Sequence, residues 1–307
     1  MSSINTNRAA MTALASLTMT SAKLEATQQR ISTGLRVNSA TDNAAYWSIA
    51  TTMKSDNSSL STVTDALGLG AATVDVSYTA LNSSIGFVQK IKDKLVAARQ
   101  PGVDRTKVQS EITQLQDQLK SVSGSATFSG ENWLSVDSSA AGYNATKSIV
   151  SSFSRGSTGI NIQTITFNGN SGKLFDSANQ SGLLDMTSTT NNGAVVYSVS
   201  TLNISALTTS AADIQDLEQM IGTVDTALNS MTSAAADLGT LKTRIDSQSS
   251  FIKSLMEAIT RGVGTLVDAD MSEESTKLQA LQVQQQLGTQ ALGIANQSSQ
   301  SILSLFK

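Results

Sequence analysis

The chain has 307 residues, with 21 Lys and Arg against 24 Asp and Glu, one Pro, and neither Cys nor His. It therefore lacks the commonest metal ligands, the thiol nucleophile and the usual base near neutral pH, and no disulfide framework can form. A net charge of −3 argues against a general binder of nucleic acid or of a membrane surface, while the length would ordinarily suggest about two domains.

The opening stretch "MSSINTNRAAMTALASLTMT" has no basic n-region and no continuous apolar h-region, so it does not read as a Sec signal peptide. No run of roughly 18 apolar residues occurs, and no membrane insertion is expected. Leu14, Leu17, Ser21, Leu24, Gln28, Ile31 and Leu35 keep a three–four spacing, predicting a first helix with polar residues at two seam positions. Gly34 and Asn38 are its breaker and turn residues. Asp42 and Asn43 are candidate caps before "AAYWSIATTMK", which opens a second helix.

Leu60, Val63, Leu67, Gly70, Val74, Ser77, Leu81, Ser84, Val88, Ile91, Leu95 and Ala98 then alternate steps of three and four. This is the signature of a seam between long helices. Pro101-Gly102 breaks the run. Val108, Ile112, Leu115, Leu119 and Val122 restart it as a shorter helix, and the brief connection favours an antiparallel helical hairpin.

Between about 127 and 208 the composition shifts to Ser, Thr, Asn and Gly. "GINIQTITFNG" alternates apolar and polar residues before Asn168-Gly169, a hairpin turn signal. "NNGAVVYSVSTLNI" repeats the pattern after Asn192-Gly193. A small β-rich insert is predicted; a Ser/Thr-rich linker without structure is the alternative.

The C-terminal part answers with Ile214, Leu217, Ile221, Val224, Leu228, Met231, Ala235 and Leu238. A change of phase follows, then Leu241, Ile245, Gln248, Ile252, Leu255 and Ile259. The two steps of three at Ala235, Leu238 and Leu241 resemble a stammer. A helix over 213–260 would be about 70 Å long, whereas a compact globule of this length is about 50 Å across, so a rod is predicted. Leu278, Leu281, Gln285, Gly288, Leu292, Ala295, Ser299 and Ile302 mark a last helix, with Glu273-Glu274 near its start, where the dipole favours acids. Both terminal seams are dilute, so each terminal helix alone should be marginal in water.

Four segments, "SINTNRAAMTAL", "QQRISTGLRVNSATDNAA", "TFSGENWL" and "ILSLFK", resemble the bacterial flagellins, of a divergent rhizobial-like type with a short central insert. The resemblance covers about 1–135 and 210–307. It implies a mainly α fold, an elongated rod of long antiparallel coiled-coil-like helices with paired terminal helices and a small central β-rich insert. The implied organisation is an N-terminal arm of an inner tube (1–40), helical shell segments (41–135 and 209–265), a surface insert (136–208) and a C-terminal arm (266–307).

The implied function is a structural subunit, exported unfolded, that polymerises into the flagellar filament used for swimming outside the cell. No enzyme activity, catalytic residue, metal or cofactor is implied. The implied partners are further copies or other flagellins, the flagellar type III export apparatus with a chaperone, and the cap and hook-associated proteins. A hook–filament junction protein shares such terminal arms, but "ISTGLRVNSATDNAA" favours flagellin.

On this resemblance, Leu14, Leu17, Leu24, Ile31, Leu278, Leu281, Leu292, Ile302, Leu305 and Phe306 carry self-assembly of the inner tube. Tyr46 and Trp47 sit at the elbow between tube and shell, packed against the same chain or a neighbour rather than forming a ligand site. The face read by the animal flagellin-sensing Toll-like receptor corresponds to Gln89, Lys90, Asp93, Lys94 and Glu111, with Lys90, Asp93 and Lys94 where many flagellins carry Arg, Glu and Leu. Gln29–Ala50 matches the peptide read by the plant flagellin receptor, altered at Leu35, Thr41, Asn43, Tyr46 and Trp47. Weak or no activation of either receptor is expected.

Overall fold

The computed structural model describes residues 6–156, 159–192 and 195–304, with side chains as far as Gln297. Five helices dominate: α1 (Arg8–Thr33), α2 (Ala44–Ala98), α3 (Arg105–Ser125), α4 (Ala211–Val267) and α5 (Met271–Ser304). Two compact units arise. One joins the chain up to Ser58 with the chain from Met256 onward; the other spans Ser59–Leu255.

In the second unit the seam of α2 is buried at every expected position except Gly70, including Ser77 and Ser84. Those two hydroxyls donate to the carbonyls of Thr73 and Ala80 one turn back, so their burial leaves no donor unpaired. Gly70 is half-buried for a different reason. A Cβ there would lie 2.5 Å from Cγ2 of Ile149, so the missing side chain lets the insert seat Ile149 on the helix. Gly70→Val is therefore expected to destabilise this unit by about 1–3 kcal/mol through overpacking. Thermal unfolding would read it, and an unchanged Tm would show that Ile149 moves aside without cost.

The helix α4 answers with Leu217, Met220, Val224, Met231, Leu238, Leu241, Ile245 and Ile252, all buried. It runs unbroken through Ala235–Leu241, with Ala234 and Ala235 both buried where the spacing shortens. Its register against α2 is antiparallel and carried by charge. Lys242 lies 2.5 Å from Asp75, Lys92 lies 2.6 Å from Asp225, and Arg99 lies 2.5 Å from Glu218. In each pair the residue numbers add to 317. The Asp75 hydrogen bond and charge hold the Lys242 ammonium above its usual range.

Pro101-Gly102 separates α2 from α3, with Gly102 at φ +89° and Asp104 capping the amides of Thr106 and Lys107. On α3, Ile112 and Leu119 are buried, while Val108, Leu115 and Val122 are only half-buried. Gln109 and Gln116 are buried as well. Gln116 donates to the carbonyls of Val199 and Leu202, and Gln109 accepts from the amide of Ile204. Two glutamines thus bind an irregular segment whose backbone has no strand partner.

Between α3 and α4 the described residues form eight strands: β1 (Thr127–Phe128), β2 (Glu131–Asn132), β3 (Ser135–Val136), β4 (Thr146–Gly156), β5 (Gly159–Asn168), β6 (Phe175–Asp176), β7 (Ser188–Thr189) and β8 (Val196–Tyr197). They form four two-stranded pairs, of which β3 with β6 is parallel. The alternating segment is a strand, but Asn168-Gly169 is not its hairpin turn. The hairpin of β4 and β5 closes at the other end, from Gly156 to Gly159. Asn168 instead accepts the amide of Asn170 and opens a 3-10 turn over Gly169–Ser171, since its side chain offers the local partner that a hairpin would have supplied. The second signal fares better: Asn192 lies between the antiparallel β7 and β8, while Gly193 falls outside the described residues.

Trp133 is buried and stacks on Phe167 at 5.7 Å between centroids. Nearby, the amides of Leu174 and Phe175 donate to Leu134, leading into a buried knot where Lys173 lies 2.9 Å from Asp176. Burial would raise the Asp176 carboxyl, but hydrogen bonds from Lys173, Ser181 and the Ser138 amide outweigh it and hold the group well below the ordinary carboxylate range. A lowered folded pKa contributes stability above the unfolded value, near 3.8, which is lost as pH falls towards the folded one. Trp133 fluorescence in a Trp47→Phe background should stay native at pH 5 and change only below about pH 4. Loss of the native signal near neutral pH would contradict this.

Candidate assembly surface

The terminal unit is built by α1 and α5 running antiparallel. Asn7 caps α1 by accepting the Ala10 amide and donates to the carbonyl of Ala295. At the other end Arg30 lies 3.2 Å from Glu274, in the first turn of α5. A cation in the last turn of α1 thus meets an acid in the first turn of α5, and each charge also suits its own helix dipole. Between these ends Gln285 donates to Ser21 at 3.5 Å. A Cβ on Gly288 would lie 3.2 Å from Cδ1 of Leu17, so the glycine admits that leucine closely.

On this seam Leu17, Leu24, Ile31, Leu278 and Leu292 are half-buried and Leu281 is buried. Thr27 fills the place where Gln28 was expected, and Gln28 turns to solvent. Leu14 is 53% exposed, on the outer side of α1. The Ile302 side chain, Leu305 and Phe306 lie outside the described residues.

The link from α1 to α2 follows the expected chemistry. Gly34 takes the left-handed conformation at φ +71° and its amide donates to Arg30. Asp42 accepts from the amides of Ser39 and Asn38, which keep its carboxyl below the usual range. Asn43 accepts the Tyr46 amide and caps α2. The Arg36 and Val37 amides share the Val267 carbonyl, and Leu35 bridges to Asp268. The apolar cluster here is Val37, Ala50, Val263 and Val267, with Leu35, Ile259 and Leu266 against it.

Tyr46 and Trp47 are not in that cluster. They remain 41% and 39% exposed, so of the two partners expected for them, the same chain or a neighbour, the same chain leaves them largely uncovered.

A second apolar surface was not read from the sequence. On α5, Val283, Leu287 and Ile294 are 55%, 58% and 69% exposed. At 100° per residue they lie about 200–240° around the helix from Leu281, on the face opposite α1. Met11, Met19, Ile49 and Met53 are exposed as well. The period of Val283, Leu287 and Ile294 was the available signal; a search for one seam per helix passes over it. A shallow groove lined by Ala9, Ala13, Ser16, Gly288, Ala291 and Ala295 runs along the helix pair.

The remaining predicted residues lie on the other unit. Gln89, Lys90 and Asp93 are exposed, and the Lys90 ammonium stands 5.7 Å from the Phe87 ring centroid. Lys94 pairs with Glu111 at 2.5 Å, linking α2 to α3.

A mainly helical chain with paired ends and helices apolar on two opposite faces belongs to the class of structural subunits. Residues 4–139 match the profile of the bacterial flagellin N-terminal helical region, and 221–306 that of the C-terminal helical region. Flagellin C of Rhizobium meliloti (strain 1021) is 48% identical over the whole of both chains. Flagellin A of Rhizobium meliloti is 42% identical, and the flagellin of Brucella melitensis biotype 1 is 44% identical, again over all of each chain. A crystal structure of Bacillus cereus flagellin is similar with 20% identity and a TM-score of 0.40, over 62% of this chain and 88% of that one. The chain belongs to the bacterial flagellin family. It is a structural subunit of the flagellar filament, which lies outside the cell. Among the described residues no helix is long and apolar enough to cross a membrane.

Proposed function

We propose that the subunit is exported unfolded through the flagellar type III apparatus with a chaperone, and joins the filament beneath its cap beyond the hook-associated proteins. The arms at 1–40 and 266–307 form the inner tube, 41–135 and 209–265 the shell, and 136–208 the outer insert. The work of this chain is assembly, without an enzymatic step or cofactor. One observation carries the reading: α5 is apolar on the face covered by α1 and again on the opposite face, at Val283, Leu287 and Ile294. A helix with two such faces is stable only when covered on both sides.

Leu17, Leu24, Ile31, Leu278, Leu281 and Leu292 join the arms within the subunit. Leu14, with Met11 and Met19, faces a neighbour, and self-assembly is also assigned to Ile302, Leu305 and Phe306. Tyr46, Trp47, Ile49 and Met53 seat against a second copy, since large rings left exposed gain most from burial. A repeated heterologous contact whose rotation does not close gives an open helical fibre. Electron microscopy of the purified full chain, brought to polymerising salt, tests the reading. Long filaments are expected; a chain that stays monomeric at high concentration would refute it.

A different surface, on the long-helix unit, bears on immune sensing together with Gln29–Ala50. Lys90, in place of Arg, offers no planar fork, and Lys94, paired with Glu111, brings charge where an apolar contact is needed. Purified monomer on animal cells, and the Gln29–Ala50 peptide on plant tissue, should give weak responses or none. Potent responses at doses effective for typical flagellins would show that these substitutions are tolerated.

A further inference from the structure

The described methionines differ in exposure by place, with Met256, half-buried in the terminal unit, between the extremes. Met220 and Met231 are fully buried in the long-helix core, at 1% and 0% exposure. Met11, Met19, Met53 and Met271 are 64%, 61%, 37% and 46% exposed, and all four belong to the terminal unit. Met186, in the insert, is 58% exposed and stands apart from them. With no Cys in the chain, thioethers are its chief oxidisable sulfur.

We propose that Met11, Met19, Met53 and Met271 are reversible oxidation sites that together control assembly. Hydrogen peroxide or a hypohalous acid oxidises them in the free subunit and stops incorporation, whereas the polymer buries and protects them. The proposal rests on the reading that the terminal unit makes the filament contacts. In the step itself the thioether sulfur gives two electrons and takes one oxygen; with hydrogen peroxide the O–O bond breaks and the other oxygen leaves as water, and with a hypohalous acid the oxygen–halogen bond breaks and the halogen leaves as halide. The product is a polar, chiral sulfoxide in place of a flexible apolar side chain. Polarity on these faces removes the contact that burial would reward. Thiol-dependent reductases specific for the two sulfoxide epimers reverse the change.

The test uses the full chain. Monomer is treated with hydrogen peroxide, its sulfoxides are located by peptide mass spectrometry, and its critical concentration for polymerisation is measured by sedimentation. Oxidation is expected at Met11, Met19, Met53, Met271 and Met186, but not at Met220 or Met231. The critical concentration should rise at least about tenfold, equivalent to about 1.4 kcal/mol per subunit, and return after treatment with both reductases. Preformed filaments should resist oxidation at the four terminal-unit positions and still take it at Met186.

A chain carrying Met11→Leu, Met19→Leu, Met53→Leu and Met271→Leu, compared with its own untreated sample, should lose the peroxide effect; Met186→Leu should keep it. An oxidised subunit with an unchanged critical concentration would overturn the proposal. So would an undiminished peroxide effect in the four-leucine chain, or failure of the reductases to restore assembly. Failure of the untreated chain to polymerise would overturn the assembly reading as well, and is distinguishable because it needs no oxidant.

Discussion

Removal of residues 281–307 abolishes polymerisation while the unit from Ser59 to Leu255 still unfolds cooperatively. The truncation takes Leu281, Gly288 and Leu292 from the seam, and with them the partners of Leu17 and Ser21. It also deletes the exposed stripe of Val283, Leu287 and Ile294. What remains of α5 is ten residues, Met271–Ala280, below the roughly 12–15 at which an isolated helix becomes even marginal. The long-helix unit has its own core, from Leu67, Leu81 and Ile91 to Leu217 and Ile252, and none of it is removed. Sedimentation measures the first effect and calorimetry the second. Normal filaments from the truncated chain would refute the paired-arm arrangement.

Limited proteolysis of the monomer should trim both ends to a core near residues 55–265, while filaments stay intact. The described residues include 38 buried apolar side chains, and only five, Val37, Ala50, Val263, Val267 and Leu281, lie in the terminal unit. With so little apolar surface buried, local opening there costs least. Each opening exposes backbone that a protease can take as an extended strand. Neighbours in the polymer would close these openings by covering the second apolar face. Equal protection of the ends in monomer and filament would sink this expectation.

The long helices were readable because one chemical pattern serves both local and tertiary structure. A three–four row of apolar residues is the face of a helix and also the face that must be covered, so the row from Leu60 to Ala98, Gly70 excepted, is buried in the folded core. The same logic reached the last helix, where Leu278 through Ala295 lie on the side of α5 that meets α1. Capping was equally local: Gly34 and Asn43 act through atoms within four residues of themselves.

Other features depend on atoms far away in the chain. Gln109 and Gln116 are ordinary helix residues until the segment at Val199–Ile204 offers its amide and carbonyls. Gly70 is an unremarked seam position until Ile149 arrives, and Asn168-Gly169 signals a turn that longer strand pairing moves elsewhere. The register of α2 on α4 required the pairs of Asp75, Lys92 and Arg99 with Lys242, Asp225 and Glu218. Tyr46 and Trp47 show the same division most plainly. Their size announces that something must cover them, but the cluster of Val37 and Ala50 forms without them, and that depends on which distant segments meet the start of α2. Period and capping are set within a few residues and so are written in the sequence; exposure is set by which distant surfaces meet, and appears only once the chain has folded.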